Sequence, residues 1–418
     1  MTPAHQPVQR PRDARLLLVY SDGRIVHAAR SRFIDFLQPG DLVIANDAAT
    51  LPASLHGVHV ATGAEIEVRL AGKPSTMNRR SGDQKGFSSS KRMSPGLLIS
   101  CSKDQAFTAV VFGAGDFRMR TEDRPLPPAL APGDRLVLGP LAATIEALLD
   151  HPRLVSLRFS GPPHAVWAGL ARHGRPIQYS HVPTPLALWD VWTPIASVPA
   201  AFEPPSAGFA LDWATIRAMR EGGVAFATVT LAAGISSTGD PELDRRLPFD
   251  EPYRIPEATA SAIRRVRSDG GRIIAIGTTV VRTLEHAAAR TGLVQAGEGI
   301  ADERLGPFSR LRVVDAILSG THEPGSSHYQ LLRAFLDDAT LAEASAALDA
   351  MGYRTHEFGD SVLIEKSHGK SARRSSRMAS SRPPYTSLVV SLSNHEPNCS
   401  SFDRLRMSVC AETRDRTA

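Results

Sequence analysis

The chain has 418 residues, 42% of them hydrophobic, a length that predicts two or three domains and a composition that can fill their cores. No stretch reaches the about 18 unbroken apolar residues of a membrane helix, and the opening MTPAHQPVQRPRDAR lacks a secretory apolar segment, so no membrane partner and a cytoplasmic place are expected. The net charge of +5 is not a nucleic-acid signal: residues 367–418 hold nine Lys/Arg against four Asp/Glu, which leaves 39 of each in the first 366, so RNA binding would need a local patch.

In chain order, Arg15–Tyr20 and Arg24–His27 read as a strand pair around the turn Ser21-Asp22-Gly23, Phe33–Leu37 as one helical turn, and Leu42–Ala45 as an apolar strand ended by Asn46-Asp47. Residues 58–175 read as all-β: VHVAT, AEIEVRL, AFTAVVFG, DRLVLGP and RLVSLRF are short, partly alternating and separated by Gly/Pro turns, as in a small barrel or sandwich. LAATIEALLD fits either helix or strand. Residues 74–100 are Ser-, Gly- and base-rich and read as a disordered insert. The cysteines, Cys101, Cys399 and Cys410, show no CxxC or Cys/His spacing for zinc and predict no internal disulfide.

From residue 176 helix and strand alternate. Asp212 caps a helix that runs to Glu221 and stops at Gly222-Gly223; the strand VAFATVTL follows. Pro256 opens the helix EATASAIRRVRSDGG, which Gly270-Gly271 ends, RIIAI is a buried strand, and Val280–Arg290 is a helix. LRVVDAIL is a strand that contains Asp315, Ser326–Asp337 and Leu341–Met351 are helices, and SVLIE is the last strand. This is an α/β pattern with a parallel or mixed sheet covered by helices. Residues 367–418 are Ser/Arg/Pro-rich and predict a tail without a fold of its own.

Three places can carry chemistry. RIIAIGTTVVRTLEHAAA sends a buried strand through Gly277-Thr278-Thr279 into a helix, the kind of junction that seats an anion, a carboxylate or a ribose. Arg282 and Glu285 share a face of that helix; the same spacing also serves an N-cap turn followed by a solvated ion pair. Asn46-Asp47 end another strand and can orient a ribose, or form an Asx turn. Asp315 is either paired or directed into a cleft, and His322 in the loop SGTHEPGSS can be an acid/base group or a surface histidine. The loop PPSAGF, Pro204–Phe209, can close over a ligand or merely connect. Phosphate-loop and dinucleotide fingerprints are absent from the sequence.

Together these segments resemble the S-adenosylmethionine:tRNA ribosyltransferase-isomerase family, collinearly from about residue 12 to 365. RDARLL resembles its RDxSRLL, PGDLVIANDAATLP its PGDLLVxNDTRVIP, PPSAGF its PTAGLHF, IIAIGTTVVRTLE its IAVGTTSVRTLE, VVDAILSGTHEPGSS its VVDALITNFHLPKST, and FGDSVLI its YGDAMLI. The resemblance implies a main α/β domain split into 1–57 and 176–366 around a β-barrel domain at 58–175. It implies transfer of the ribosyl group of S-adenosylmethionine, a co-substrate, to the aminomethyl group of a 7-deazaguanine at the tRNA wobble position, with adenine and methionine released and epoxyqueuosine left. No metal is expected, and a monomer is. By the resemblance Asp47, Arg282, Glu285 and His322 are catalytic, and Asn46, Ser206, Gly208, Glu251, Gly277, Thr278, Thr279, Asp315 and Asp360 bind substrate. Arg282→Ala would then disable the site without unfolding the protein. Ala49, Ala210 and Ala232 stand where the family carries an arginine and two histidines, and Gly325 where it carries lysine. Those losses leave two alternatives: a related enzyme with another acceptor, and a non-catalytic binding protein.

Overall fold

Leu42–Asn46 and Ile273–Ile276 are buried at every position, as strands covered on both faces must be. They form the middle of a nine-stranded mixed sheet in a computed structural model that describes residues 1–73 and 105–367. The expected insert at 74–100, all three cysteines and all but the first residue of the expected tail lie outside the described residues.

The sheet order is Gly297–Ala301, Glu251–Ile255, Ala225–Leu231, Leu42–Asn46, Ile273–Ile276, Ala316–Gly320, Ser361–Glu365, Arg15–Val19, Ile25–Ala29. The strands from Ala225–Leu231 to Ala316–Gly320 are parallel, so four carboxyl ends open on one edge. The pleat divides the core. Leu42, Ile44, Ile273 and Ala275 pack on one side with Ile263 and Val266 of the helix Glu257–Ser268 and Val280, Val281 and Leu284 of the helix Thr278–Ala288. Val43, Ala45, Ile274 and Ile276 pack on the other with Phe33 and with Ile216 and Met219 of the helix Trp213–Glu221. Each fully buried aliphatic side chain contributes about 1.5–3 kcal/mol.

A closed six-stranded antiparallel barrel is inserted after the strand Leu42–Asn46, in the order Leu141–Leu148, Leu154–Phe159, Ala106–Phe112, Ala64–Gly72, Ser54–His59, Arg135–Leu138. Leu55, Ile66, Val68 and Phe107 join the same apolar cluster as Leu42 and Ile44, so barrel and sheet share one core. Glu67 and Arg69 alternate with Ile66, Val68 and Leu70 on the opposite face of their strand, yet both are buried.

Several expectations change. LAATIEALLD is a barrel strand, and residues 58–175 are not all-β, because Pro163–His173 is a helix opened by proline at its first position. Strands Glu251–Ile255 and Gly297–Ala301 were not legible, one carrying proline and arginine and the other two glycines. Asp315 precedes its strand rather than lying in it, and the helix expected over 326–337 is the short Ser327–Leu332.

Candidate functional site

A cavity of about 340 Å³ opens where the parallel strands end. Its walls are Ala233–Ser236 and Gly277–Thr279, which follow two of the strands, the strand end Ser319-Gly320 and His322 beyond it, with Glu203–Ala207 closing one side. Gly277 has φ +91°, a left-handed conformation that glycine adopts without strain, and its N–H donates to the Leu318 carbonyl at 2.8 Å. A Cβ there would come within 3.2 Å of Ala207. No side chain caps the helix that follows, so its first-turn amides are left for a ligand beside the Thr278 and Thr279 that line the cavity.

One turn on, the buried Arg282 pairs with Glu251 through Nη1 and donates through Nη2 to the carbonyls of Ala301 (2.8 Å) and Phe249 (3.3 Å). Glu251 Oε1 accepts from the Gly234 N–H at 2.8 Å. Burial draws the guanidinium down to about 10. Removing Arg282 strands a buried carboxylate, at about 3–5 kcal/mol, so Arg282→Ala is expected to weaken the fold as well as the site.

His322 Nε2 lies 3.0 Å from Ser319 Oγ, and its ring stacks on His328 with centroids 4.5 Å apart and planes at 8°. Burial first, then the neighbouring imidazoles of His328 and His356, hold His322 well below its ordinary value; burial lowers His328 too. Both are neutral hydrogen-bonding groups at pH 7. Glu203, which the sequence reading passed over, is buried in the wall and accepts from the Tyr179 hydroxyl. Burial pushes it up, against the lowering pull of Tyr179 and Ser236, to about 7. Its one sequence signal was an acid directly before the Pro204-Pro205 loop.

Ser206, Glu251, Gly277, Thr278, Thr279, Arg282 and His322 thus line one cavity. The other expected site residues do not. Asn46 lies behind it: Nδ2 donates to the Leu231 carbonyl (3.0 Å) and to Thr279 Oγ1 (3.4 Å), while Oδ1 accepts the Leu231 N–H, so it braces the junction. Asp47 accepts from Thr228 Oγ1 (3.0 Å) and Thr230 Oγ1 (2.6 Å) of the adjacent strand. Glu285 accepts the N–H groups of Arg312, Val313 and Val314 at 2.7–2.9 Å, two turns down the helix from the cavity. Asp315 sits at the far, amino-terminal edge of the sheet, pairing with Arg267 at 2.9 Å and accepting the Ile273 N–H. Asp360 is committed to the N–H groups of Arg15 and Arg354 and to the Arg15 guanidinium at 3.0 Å. Gly208 is a packing position, since a Cβ there would meet Thr193 Cγ2 at 2.9 Å.

His181, His356 and Glu357 bring three metal-ligand atoms within 4.8 Å of one another. The imidazoles stack face to face at 4.1 Å, and His181 Nε2 is already hydrogen-bonded to Glu357 at 2.9 Å. Tetrahedral zinc needs ligand atoms roughly 3.4 Å apart with converging lone pairs, which stacked rings do not offer.

The chain matches the family described as queuosine biosynthesis protein over residues 2–364. It is 34% identical to the S-adenosylmethionine:tRNA ribosyltransferase-isomerase of Sorangium cellulosum, over 86% of this chain and 94% of that protein. Identity to the protein of the same name in Thermus thermophilus is 31%, over 85% and 93%. The Moorella thermoacetica protein of that name is 28% identical over 86% and 95%. The chain belongs to the queuosine biosynthesis protein family. No helix among the described residues is long and apolar enough to cross a membrane.

Proposed function

We propose that the chain is an S-adenosylmethionine:tRNA ribosyltransferase-isomerase: it moves the ribosyl group of S-adenosylmethionine onto the aminomethyl group of a 7-deazaguanine at the tRNA wobble position and rearranges it to epoxyqueuosine, releasing adenine and methionine. The observation that carries this reading is the collinear match to full-length relatives of that name. The cleft agrees with it chemically. The amides at Thr278 and Thr279 suit a carboxylate or ribose hydroxyls, and the neutral imidazoles of His322 and His328 can each donate and accept a hydrogen bond. The enzyme works as a monomer in the cytoplasm and needs no metal ion.

The test incubates the full chain with S-adenosylmethionine and precursor tRNA and follows adenine release and the modified nucleoside by mass spectrometry. Both products are expected, at a rate unchanged by a chelator. Adenine without modified tRNA transfers the function to another acceptor, the reading favoured by Ala210 and Ala232 in place of histidines. Ligand binding without either product makes the chain a binding protein.

A further inference from the structure

Among the described residues three carboxylates line the cavity, and two of them are committed. Glu251 holds Arg282, and Asp244 Oδ1 accepts from the Thr238 N–H (2.7 Å) and Thr238 Oγ1 (2.6 Å). Among the described residues Glu203 has no ion-pair partner; it meets only the Tyr179 hydroxyl and the hydroxyl and N–H of Ser236. The Tyr179 oxygen accepts the Ser237 N–H at 3.2 Å, and of the three oxygens within reach of its hydroxyl Glu203 Oε1 is the nearest, with the Ser237 carbonyl and Ser236 Oγ each at 3.3 Å. We propose that Glu203 exchanges a proton with the ligand of the cleft, and that Tyr179 is its positioning residue.

The inference rests on the reading of the cleft as the S-adenosylmethionine site and adds the group that handles the proton. The charged and titratable groups around Glu203 are few. Tyr179 is bonded to it, Glu357 pushes it further up, His181 stacks on the Tyr179 ring and is hydrogen-bonded to Glu357, and Arg69, 5.4 Å over the Tyr179 ring, attracts Glu203 from a distance while engaged by Glu67. A carboxyl raised to about 7 by burial is both acid and base near neutrality. In the proposed reaction the acceptor nitrogen uses its lone pair to bond the ribosyl carbon and sheds one N–H proton. The Glu203 carboxylate takes that proton. As the neutral acid it passes the proton to adenine, whose nitrogen leaves with the electron pair of its former C–N bond.

Adenine release by the full chain with precursor tRNA, followed from about pH 5.5 to about pH 9, tests this. Glu203→Gln is expected to lower kcat about a hundredfold or more, to keep KM for S-adenosylmethionine within about threefold, and to abolish the acidic limb of the pH profile. Tyr179→Phe removes a donor to the carboxylate and is expected to move that limb to higher pH without abolishing it. A Glu203→Gln enzyme within about threefold of the parent kcat, with the acidic limb intact, overturns the proposal. Calorimetric titration with S-adenosylmethionine in two buffers of different ionisation enthalpy separates the two readings. If the parent chain binds without turnover, release of a proton by the parent and not by Glu203→Gln supports the proposal, and equal proton counts overturn it. If the parent does not bind, both readings fall.

Discussion

Glu67 on the buried outer face of the barrel and Glu203 in the cleft wall are both buried carboxyls, and they are held in opposite ways. Glu67 accepts from Arg69 Nε and Ser54 Oγ, each at 2.7 Å, and pairs with Arg124. Burial pushes that carboxyl up, but the two guanidiniums and the hydroxyl outweigh burial and bring it down to about 2. Glu203 is likewise buried but has no cation paired to it among the described residues, and it rises to about 7. Burial alone therefore does not decide the state of a carboxyl; the partners supplied to it do. The barrel face is satisfied for stability, whereas the cleft carries an uncompensated acid, the arrangement expected where a group must change protonation during function.

The comparison breaks most sharply at the barrel. Glu67→Gln leaves two buried guanidiniums without their counter-charge and is expected to destabilise the fold by about 3–5 kcal/mol in urea unfolding at pH 7. A loss under about 1 kcal/mol would mean that the cluster is hydrated and the contrast with the cleft false. The same substitution at Glu203 has the opposite sign. A carboxyl raised from 4.5 to about 7 contributes stability that is fully present below pH 4.5 and lost as pH rises through 7. Glutamine does not lose it, so Glu203→Gln is expected to unfold about 3 kcal/mol less readily than the parent at pH 8 and to match it near pH 4.5. Equal stabilities at both pH values would show that Glu203 titrates normally.

Legibility from sequence followed the same division. The sheet was readable because RIIAI and LVIA are continuous apolar runs bounded by turns, and the cleft position followed from strand ends carrying Gly277-Thr278-Thr279 and His322. What a polar residue near a strand end touches was not readable. Asp47 and Glu285 have the residue types and spacing of site groups, but the register of Ala225–Leu231 and the path of 312–314 place donors against both carboxylates. Conversely, Glu203 and Tyr179 are 24 residues apart and meet through the tertiary path, with Glu203 just after the strand Val198–Ala201 that pairs with Ala48–Thr50. Such pairings are set by tertiary path, which local periodicity does not record.

Glu285 and Asp47 supply the smaller tests, since both are charged groups satisfied outside the cavity. Glu285→Gln weakens three charge-assisted bonds to backbone N–H groups and is expected to cost about 1.5–3 kcal/mol in urea unfolding, with kcat per folded molecule retained. A hundredfold loss of kcat with stability intact would return Glu285 to the cleft.

The smallest effect belongs to Asp47→Asn. The two threonine hydroxyls that serve Asp47 can rotate, so an amide oxygen still accepts from Thr230 Oγ1, and the amide nitrogen can donate to Thr228 Oγ1 in place of accepting from it. The cost in unfolding free energy is expected at about 0.5–1 kcal/mol, that of one neutral hydrogen bond remade with poorer geometry. Because Asn46 alone braces Thr279 from this strand end, kcat and KM for S-adenosylmethionine are expected to stay within about twofold of the parent. A large rise in KM would show that the Asp47 carboxylate leaves Thr228 and Thr230 when ligand enters. The cleft would then hold a second acid lacking a cationic partner, and the contrast between a satisfied barrel face and a single uncompensated carboxyl in the cleft would need redrawing around the pair.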